Sequence, residues 1–157
     1  MELSVVDEIV LQHMEESARI VPILQDVQRH YRYLPEPALR HVAGRLRIPC
    51  SRVFAVANFY GAFSLQPRGK HLIRVCLGTA CYVRGGKQVL ESIKGALGVD
   101  VGETTGDGLF SLGVARCFGA CGLAPVLTIN DDVHQRVKPN KIKDILDQYR
   151  MEAAASR

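Results

Sequence analysis

The sequence is poor in aromatic residues and contains no long apolar segment. It has 157 residues with no tryptophan, and aromatic side chains make up 6% of it. Its apolar stretches are all shorter than the roughly 20 residues that a membrane-spanning helix needs, so no direct membrane insertion is expected. The segment from Met1 to Glu8 has neither a basic start nor an apolar core, so it is not expected to act as a secretory signal. These absences predict a cytoplasmic protein.

Several motifs of nucleotide-dependent enzymes are also missing. The chain has no G-x-G-x-x-G dinucleotide fingerprint and no phosphate-binding Walker loop, so it is not expected to bind NAD(P) or FMN itself. No catalytic nucleophile–base pair is evident, because the histidines are scattered along the chain: His13, His30, His41, His71 and His134. With 20 Lys and Arg against 16 Asp and Glu, the net charge of +4 is too small to predict a nucleic-acid partner. The sequence alone therefore predicts no catalytic residue.

The hydrophobic pattern changes at about residue 66. In residues 1–66, apolar positions recur at helical spacing, and Pro35, Pro37 and Pro49 separate them into predicted helices. None of these helices is long enough to be stable alone, so they are expected to pack as a small bundle. Residues 67–157 have mixed patterns, which predict an α/β domain with a small mixed sheet. The fold class is therefore predicted as α+β, an N-terminal helical bundle followed by this domain.

The second half is predicted to follow the order strand–helix–strand–hairpin–helix. The predicted segments are 71–76, 85–97, 109–115, 126–137 and a last helix that begins near Pro139. Within the first half, the second helix is predicted over 17–33, with Pro22 tolerated in its first turn. Residues 152–157 are predicted to fray.

The five cysteines are the residues that most need an explanation. Four of them form two pairs, Cys76-x4-Cys81 and Cys117-x3-Cys121, with 35 residues between the pairs. Each pair follows a predicted strand and is flanked by glycines, whose backbone lets a loop wrap closely around a metal. Two thiolate pairs satisfy a [2Fe–2S] cluster and four thiolates also satisfy structural zinc, so the residues alone leave both open. Disulfides are less expected in a cytoplasmic protein, and Cys50 is expected to be a small buried residue without a metal role.

Four blocks of the sequence resemble one protein family, in the same order along the chain. They are residues 53–63 (VFAVANFYGAF), 75–86 (VCLGTACYVRGG), 102–112 (GETTGDGLFSL) and 117–125 (CFGACGLAP). The blocks are similar to those of the thioredoxin-like [2Fe–2S] ferredoxins, in particular the 24-kDa-type subunit of respiratory complex I. The resemblance extends to the small subunits of NAD(P)-linked iron hydrogenases, including electron-bifurcating ones, and of formate dehydrogenases. It implies a thioredoxin-like fold for residues 67–157.

The same resemblance implies a set of cluster ligands and a function. By the family pattern, Cys76, Cys81, Cys117 and Cys121 hold one [2Fe–2S] cluster. The implied function is that of an electron-transfer subunit, which exchanges single electrons with an NAD(P)H-oxidising FMN and iron–sulfur flavoprotein. That partner carries the FMN and the NAD(P) site, and a hydrogenase or formate dehydrogenase catalytic subunit is a further expected partner. Two alternatives are a peripheral-arm subunit of NADH:quinone oxidoreductase and a zinc-stapled interaction module with no redox role.

Basic residues give two further expectations. Six arginines lie between Arg29 and Arg52 with Glu36 as the one acid. This run is interpreted as a solvated helix face, with a docking surface for an acidic partner as the alternative. The helical region 1–66 is expected to dock the chain in its complex. Arg84 and Lys87 follow Cys81 and are expected to lie near the cluster, where positive charge favours reduction.

Overall fold

A computed structural model describes residues 1–15 and 19–156 of the chain. The chain divides into two compact units, Met1–Pro67 and Arg68–Arg157. This division lies one residue beyond the predicted limit at residue 66. Among the described residues, no helix has the length and apolar character needed to cross a membrane. We call the first part the helical unit and the second the sheet unit.

The helical unit is built from amphipathic helices around one apolar core. Its described residues form α1 (Leu3–Gln12), α2 (Ile20–Tyr31), α3 (Glu36–Leu46) and α4 (Cys50–Phe59). Each helix contributes residues spaced three or four apart to the core, as Ile23 and Val27 of α2 do. Leu34, in the loop before α3, is fully buried in the same core. The predicted helical bundle is therefore confirmed.

Prolines set the starts of the third and fourth helices. Pro35 and Pro49 are the N-cap residues of α3 and α4, where the missing N–H removes no helical hydrogen bond. α2 begins at Ile20 with Pro22 in its first turn. The predicted start of this helix at Ser17 lies outside the described residues. Where the chain is described, the predicted proline breaks coincide with observed helix boundaries.

The sheet unit contains a mixed four-stranded sheet in the order β2-β1-β3-β4. Its strands are β1 (His71–Cys76), β2 (Phe110–Ala115), β3 (Leu127–Ile129) and β4 (Asp132–His134). β1 and β2 run parallel, whereas β3 pairs antiparallel with both β1 and β4. Parallel strands need a long crossover connection, which residues 77–109 provide. The predicted small mixed sheet is confirmed.

Helical structure in the sheet unit extends beyond the predicted segments. It begins with α5 (Thr79–Cys81) and continues over Tyr82–Gly86, but Gly85, with φ 105°, has a non-helical conformation that kinks the chain before α6 (Lys87–Leu97). The helix predicted over 85–97 therefore corresponds to α6, and the helical segment before the kink was not predicted. The last helix, α7 (Ile142–Ala155), includes residues 152–155, so the predicted fraying is wrong for them. Three successive alanines are strong helix formers, which explains this extension.

Most of the core of the sheet unit involves the sheet and its two long helices. Buried residues of β1, β2 and β3 pack with residues of α6 and α7: Ile73, Val75, Val89, Ile93, Phe110, Leu112, Leu127, Ile129, Ile142, Leu146 and Tyr149. A second, smaller cluster contains Cys76, Cys81, Ala124 and Val126. Two of the cysteines therefore belong to the apolar interior, near the point where β1 ends.

Candidate metal centre

The four paired cysteines meet at the carboxyl ends of two parallel strands. Cys76 is the last residue of β1, and Cys117 follows the last residue of β2 by two positions. Because Cys76 is paired in register with Ala115, both loops leave the sheet at the same edge. Cys81 closes α5 and Cys121 opens a short 3₁₀ turn. All four side chains line one cavity of about 1110 Å³.

The two pairs differ in their exposure to solvent. Cys76 and Cys81 are each only 3% exposed, and we call them the inner pair. Cys117 and Cys121 are exposed, and we call them the outer pair. The outer sulfur atoms lie 3.7 Å apart. The cavity therefore has a buried thiol pair at the sheet edge and an exposed thiol pair beside it.

A backbone N–H stabilises one outer thiolate. The amide of Gly119 donates a hydrogen bond to Cys117 Sγ at 3.1 Å, and this bond lowers the pKa of the Cys117 thiol. Gly119 has φ +78°, a left-handed conformation that favours glycine. Since the thiolate is the form that binds a metal, the loop favours the ligand state of Cys117.

The thiols of Cys81 and Cys121 are held against ionisation, by burial and by neighbouring thiols. Burial raises the pKa of the Cys81 thiol, and contact with Cys117 raises the pKa of the Cys121 thiol. Several thiolates crowded into one cavity repel each other unless a cation compensates them. A metal centre supplies this positive charge, so its binding is coupled to loss of the thiol protons.

Close contact between the two cysteine loops requires glycine at position 78. A Cβ atom there would lie 2.4 Å from the carbonyl oxygen of Arg116, well inside normal contact distance. Gly86 is similarly restricted, because its Cβ would lie 2.9 Å from the carbonyl oxygens of Cys76 and Cys81. These glycines let the backbone pack tightly around the cavity.

The cavity also has lining residues that the sequence did not single out. Val114 and Arg116, at the end of β2 and just beyond it, line the cavity together with Arg84. The one sequence signal for Arg116 is its position next to Cys117. Lys87, expected near the cluster with Arg84, is not among the lining residues. Phe118 is partly buried against the apolar cluster that contains the inner pair, so it fills part of this small core.

Cys50 is separate from this arrangement. It is the first residue of α4 and is half-buried against the core of the helical unit. It does not line the cysteine cavity of the sheet unit. Its expected role as a small packing residue is therefore consistent with its surroundings.

The thiol arrangement fits an iron–sulfur cluster. A [2Fe–2S] cluster takes two thiolates on each of two irons, and one cavity here is lined by two thiol pairs. In residues 1–15 and 19–156, no three His, Cys, Asp or Glu side chains are grouped as ligands of a single metal ion. The assignment of the four cysteines as the cluster ligands stays a prediction, and the geometry of the cavity is compatible with it.

Comparisons with known proteins agree with this chemistry. Residues 6–150 match the family model of the thioredoxin-like [2Fe–2S] ferredoxins. The chain is 37% identical to the NADP-reducing hydrogenase subunit HndA of Solidesulfovibrio fructosivorans, over 86% of this chain and 79% of that protein. It is 40% identical to an NADH-quinone oxidoreductase subunit of Rickettsia bellii (strain RML369-C), over 94% of this chain and 90% of that protein.

A solved structure has the same fold. The match is to a chain of an NAD⁺-reducing [NiFe]-hydrogenase in the air-oxidized state, with a TM-score of 0.71 and 20% sequence identity. It covers 82% of this chain and only 23% of that longer chain, so it shows the fold alone. The family itself is shown by the match over residues 6–150 and by the two relatives. The chain belongs to the thioredoxin-like [2Fe–2S] ferredoxin family.

Proposed function

We propose that this chain is the electron-transfer subunit of a cytoplasmic NAD(P)H-linked oxidoreductase complex. The observation that carries the proposal is one cavity lined by two cysteine pairs, in a chain that belongs to a [2Fe–2S] family. Cys76, Cys81, Cys117 and Cys121 are the proposed cluster ligands. When bound, a [2Fe–2S] cluster accepts and releases one electron at a time.

The residues around the cavity have separable roles in this proposal. The inner pair anchors one side of the site in the apolar interior, where Ala124 and Val126 exclude water. The outer pair lies at the surface, so the site is accessible to a partner without movement of the chain. The Gly119 amide stabilises negative charge on Cys117. Burial, amide hydrogen bonds and nearby charge are the means by which a protein sets a cluster's potential.

The partner in this proposal is a flavoprotein that oxidises NAD(P)H on FMN. Hydride transfer delivers two electrons together, whereas the site proposed here handles one, so a flavin is needed between the nucleotide and this chain. The names of the relatives support such a complex, since they are subunits of an NADP-reducing hydrogenase and of an NADH-quinone oxidoreductase. We propose that this complex is a hydrogenase or a formate dehydrogenase, which also contains a catalytic subunit.

The second candidate is the peripheral arm of an NADH:quinone oxidoreductase. It is favoured by the 40% identity to the NADH-quinone oxidoreductase relative, against 37% to the hydrogenase relative. The subunits that co-purify with the tagged full-length chain distinguish the two candidates. A hydrogenase or formate dehydrogenase subunit supports the first, and a quinone oxidoreductase subunit supports the second.

The cofactor is tested by spectroscopy of the purified full-length protein. We expect a red-brown protein with about two irons and two sulfides per chain, which becomes paramagnetic on one-electron reduction. Metal analysis checks the alternative of a zinc-stapled module. A colourless protein with stoichiometric zinc and no reducible chromophore would contradict the proposal.

A further inference from the structure

A contact between an arginine and an aromatic ring joins the parts of the sheet unit that carry the two cysteine pairs. Arg74 lies on β1, two residues before Cys76, and Phe118 directly follows Cys117. The guanidinium carbon of Arg74 lies over the Phe118 ring, 5.8 Å from its centre. A cation within about 6 Å of a ring centre is attracted to the negative face of the ring. The strand that ends at the inner pair is therefore linked to the loop of the outer pair.

The sheet leaves room for Arg74 to reach this loop. Arg74 is paired in register with Gly113 of β2, the strand that leads into the loop of the outer pair. A Cβ atom at position 113 would lie 3.7 Å from Cγ of Arg74, so the stem of the arginine occupies the space beside this glycine. A large side chain at position 113 would compete with the stem for that space. Glycine on the neighbouring strand thus permits the contact with Phe118.

No carboxylate holds Arg74. In residues 1–15 and 19–156, none of the ion pairs includes this arginine. Its electrostatic neighbour is another cation, since burial and, after it, the charge of Arg74 lower the pKa of the Arg68 guanidinium. Within the described part of the chain, the guanidinium of Arg74 is therefore held by the Phe118 ring and not by an ion pair.

The loop of the outer pair has few other attachments. Among the described residues, the hydrogen bonds of residues 117–121 join positions that all lie within 117–124. The first backbone hydrogen bond from this segment to another part of the sheet unit is the one that the Arg136 amide donates to the Leu123 carbonyl. Side-chain contacts therefore hold the loop. Phe118 makes such contacts, because it packs against the apolar cluster that contains the inner pair.

We infer that the Arg74–Phe118 contact positions the outer cysteine pair relative to the inner pair and holds one positive charge beside the proposed cluster. This role rests on the proposed function, because it presupposes a [2Fe–2S] cluster bound by both pairs. Each pair supplies two of the four thiolates, so the separation of the two pairs decides whether all four reach one cluster. A cation near the cluster favours its reduced, more negative form. Arg74 and Phe118 are therefore positioning residues.

A double-mutant cycle on the full-length chain tests the contact. The measured quantity is the rate at which the [2Fe–2S] absorbance disappears in an iron chelator without oxygen. Arg74→Gln removes the cation, and Phe118→Leu removes the ring but keeps an apolar side chain. We expect each variant to lose the cluster about threefold faster than the wild-type chain, since a cation–ring contact at an exposed site is weak. The double variant is expected to be far from the ninefold of two independent effects, because both substitutions remove the same contact.

The matched control is Arg150→Gln. Arg150 lies over the ring of Phe110, 5.9 Å from its centre, so the same type of contact is removed. Phe110 is the first residue of β2, whereas the cysteine loop follows the last one. The control is expected to keep its cluster like the wild-type chain. Equal cluster loss in Arg74→Gln and Arg150→Gln would overturn the inference, and so would a wild-type rate in Arg74→Gln. Both arginines are exposed, so this comparison does not depend on the folding of Phe118→Leu.

The reduction potential distinguishes a positioning role from a merely structural one. We expect a lower midpoint potential in Arg74→Gln, because a positive charge near the cluster is lost. In Phe118→Leu the charge remains but is no longer held over the ring, so a smaller shift in the same direction is expected. Arg74→Lys keeps the charge on a side chain that can still lie over the ring, and it is expected to retain most of the wild-type potential. Equal potentials in the wild-type chain, Arg74→Gln and Phe118→Leu would contradict the positioning role.

Failure of this role and failure of the proposed function give different results. A wild-type chain without a [2Fe–2S] chromophore would contradict the proposed function. A wild-type chain that carries the cluster, together with a double variant in which the two single effects multiply, would contradict the Arg74–Phe118 contact alone.

Discussion

The helical unit and the sheet unit use charge in different ways. In residues 1–67, seven arginines balance seven Asp and Glu, and no lysine occurs. The whole net charge of +4 therefore lies in residues 68–157. Within the run of arginines between residues 29 and 52, Arg40 and Arg45 pair with Glu36 and Asp7, and Arg29 pairs with Asp26. These pairs support the solvated-face interpretation of the run.

The contrast indicates how each unit can contact a partner. The helical unit has a neutral total charge, and Asp7, Asp26 and Glu36 form ion pairs within it, so we expect its docking role to depend on shape and apolar contact. Phe59, at the end of α4, is 80% exposed and is the type of side chain that such contact uses. The sheet unit instead places four cations, Arg84, Arg116, Arg136 and Lys138, beside the cysteine cavity and its neighbouring cleft, and these form no ion pair among the described residues. Long-range attraction is therefore a property of the sheet unit.

The sharpest test of the contrast compares cysteines from the two units. Cys81→Ser replaces a proposed ligand of the sheet unit by a harder oxygen donor, which is poorly suited to iron in a sulfide cluster. We expect loss of nearly all the [2Fe–2S] absorbance and of the iron content. Cys50→Ser, in the helical unit, is the matched control and should keep both. Equal cluster content in the two variants would contradict the assignment of Cys81 as a cluster ligand and of Cys50 as a packing residue.

Deleting residues 1–66 tests whether the helical unit docks the chain. The described residues that line the cysteine cavity all belong to the sheet unit, which has its own core. We therefore expect the deleted form to keep its cluster and to lose the partner subunits completely in a tagged purification. Recovery of the full complex with the deleted chain would contradict a docking role for the helical unit.

A substitution at Gly78 tests how tightly the cysteine loops must pack. Gly78→Ala places a Cβ against the Arg116 carbonyl, so the backbone has to shift. Overpacking of this kind costs about 1–3 kcal/mol, and we expect a lower melting temperature with reduced cluster content. In Gly122→Ala the new Cβ meets nothing within 4 Å, which makes it the control. Similar losses in both variants would show that the close approach at Gly78 is not the cause.

The smallest expected effect is a change in reduction potential. Arg84→Gln removes a positive charge that lines the cavity, and a cation stabilises the reduced, more negative cluster. We expect a lower midpoint potential. Because Arg84 is exposed, the shift should correspond to at most about 1 kcal/mol for the transfer of one electron, and it should be smaller at high salt. Lys143→Gln has the same charge change outside the cavity and should leave the potential unchanged. An unaltered potential in Arg84→Gln would rule out this electrostatic role.

The two cysteine pairs of the site could be predicted from the sequence, because each pair is recognised from residues close together in the chain. The short spacing within Cys76–Cys81 and within Cys117–Cys121 keeps the two cysteines of each pair close together, regardless of the rest of the fold. The strands before the pairs were also predictable from alternating apolar residues. That these two strands are parallel neighbours, and so bring the pairs to one edge, is seen only in the sheet.

The grouping of cations at the cavity and its neighbouring cleft could not be predicted in this way. Arg84 and Arg136 are more than fifty positions apart, and no local pattern connects them. Their meeting depends on the β3–β4 hairpin, after which Arg136 is fixed by a 2.8 Å hydrogen bond from its amide to the Leu123 carbonyl. The difference between a buried inner pair and an exposed outer pair is likewise a consequence of packing, since spacing carries no information about burial.

The sequence by itself determined which residue types this protein has for metal chemistry, where its helices break, and that its net charge lies beyond residue 67. These properties depend on composition and on neighbours a few residues apart. The tertiary structure decided that two cysteine pairs share one cavity, that one pair is buried and that Arg84 and Arg116 line the same cavity. Such features depend on strand order and loop packing, which join residues far apart in the chain.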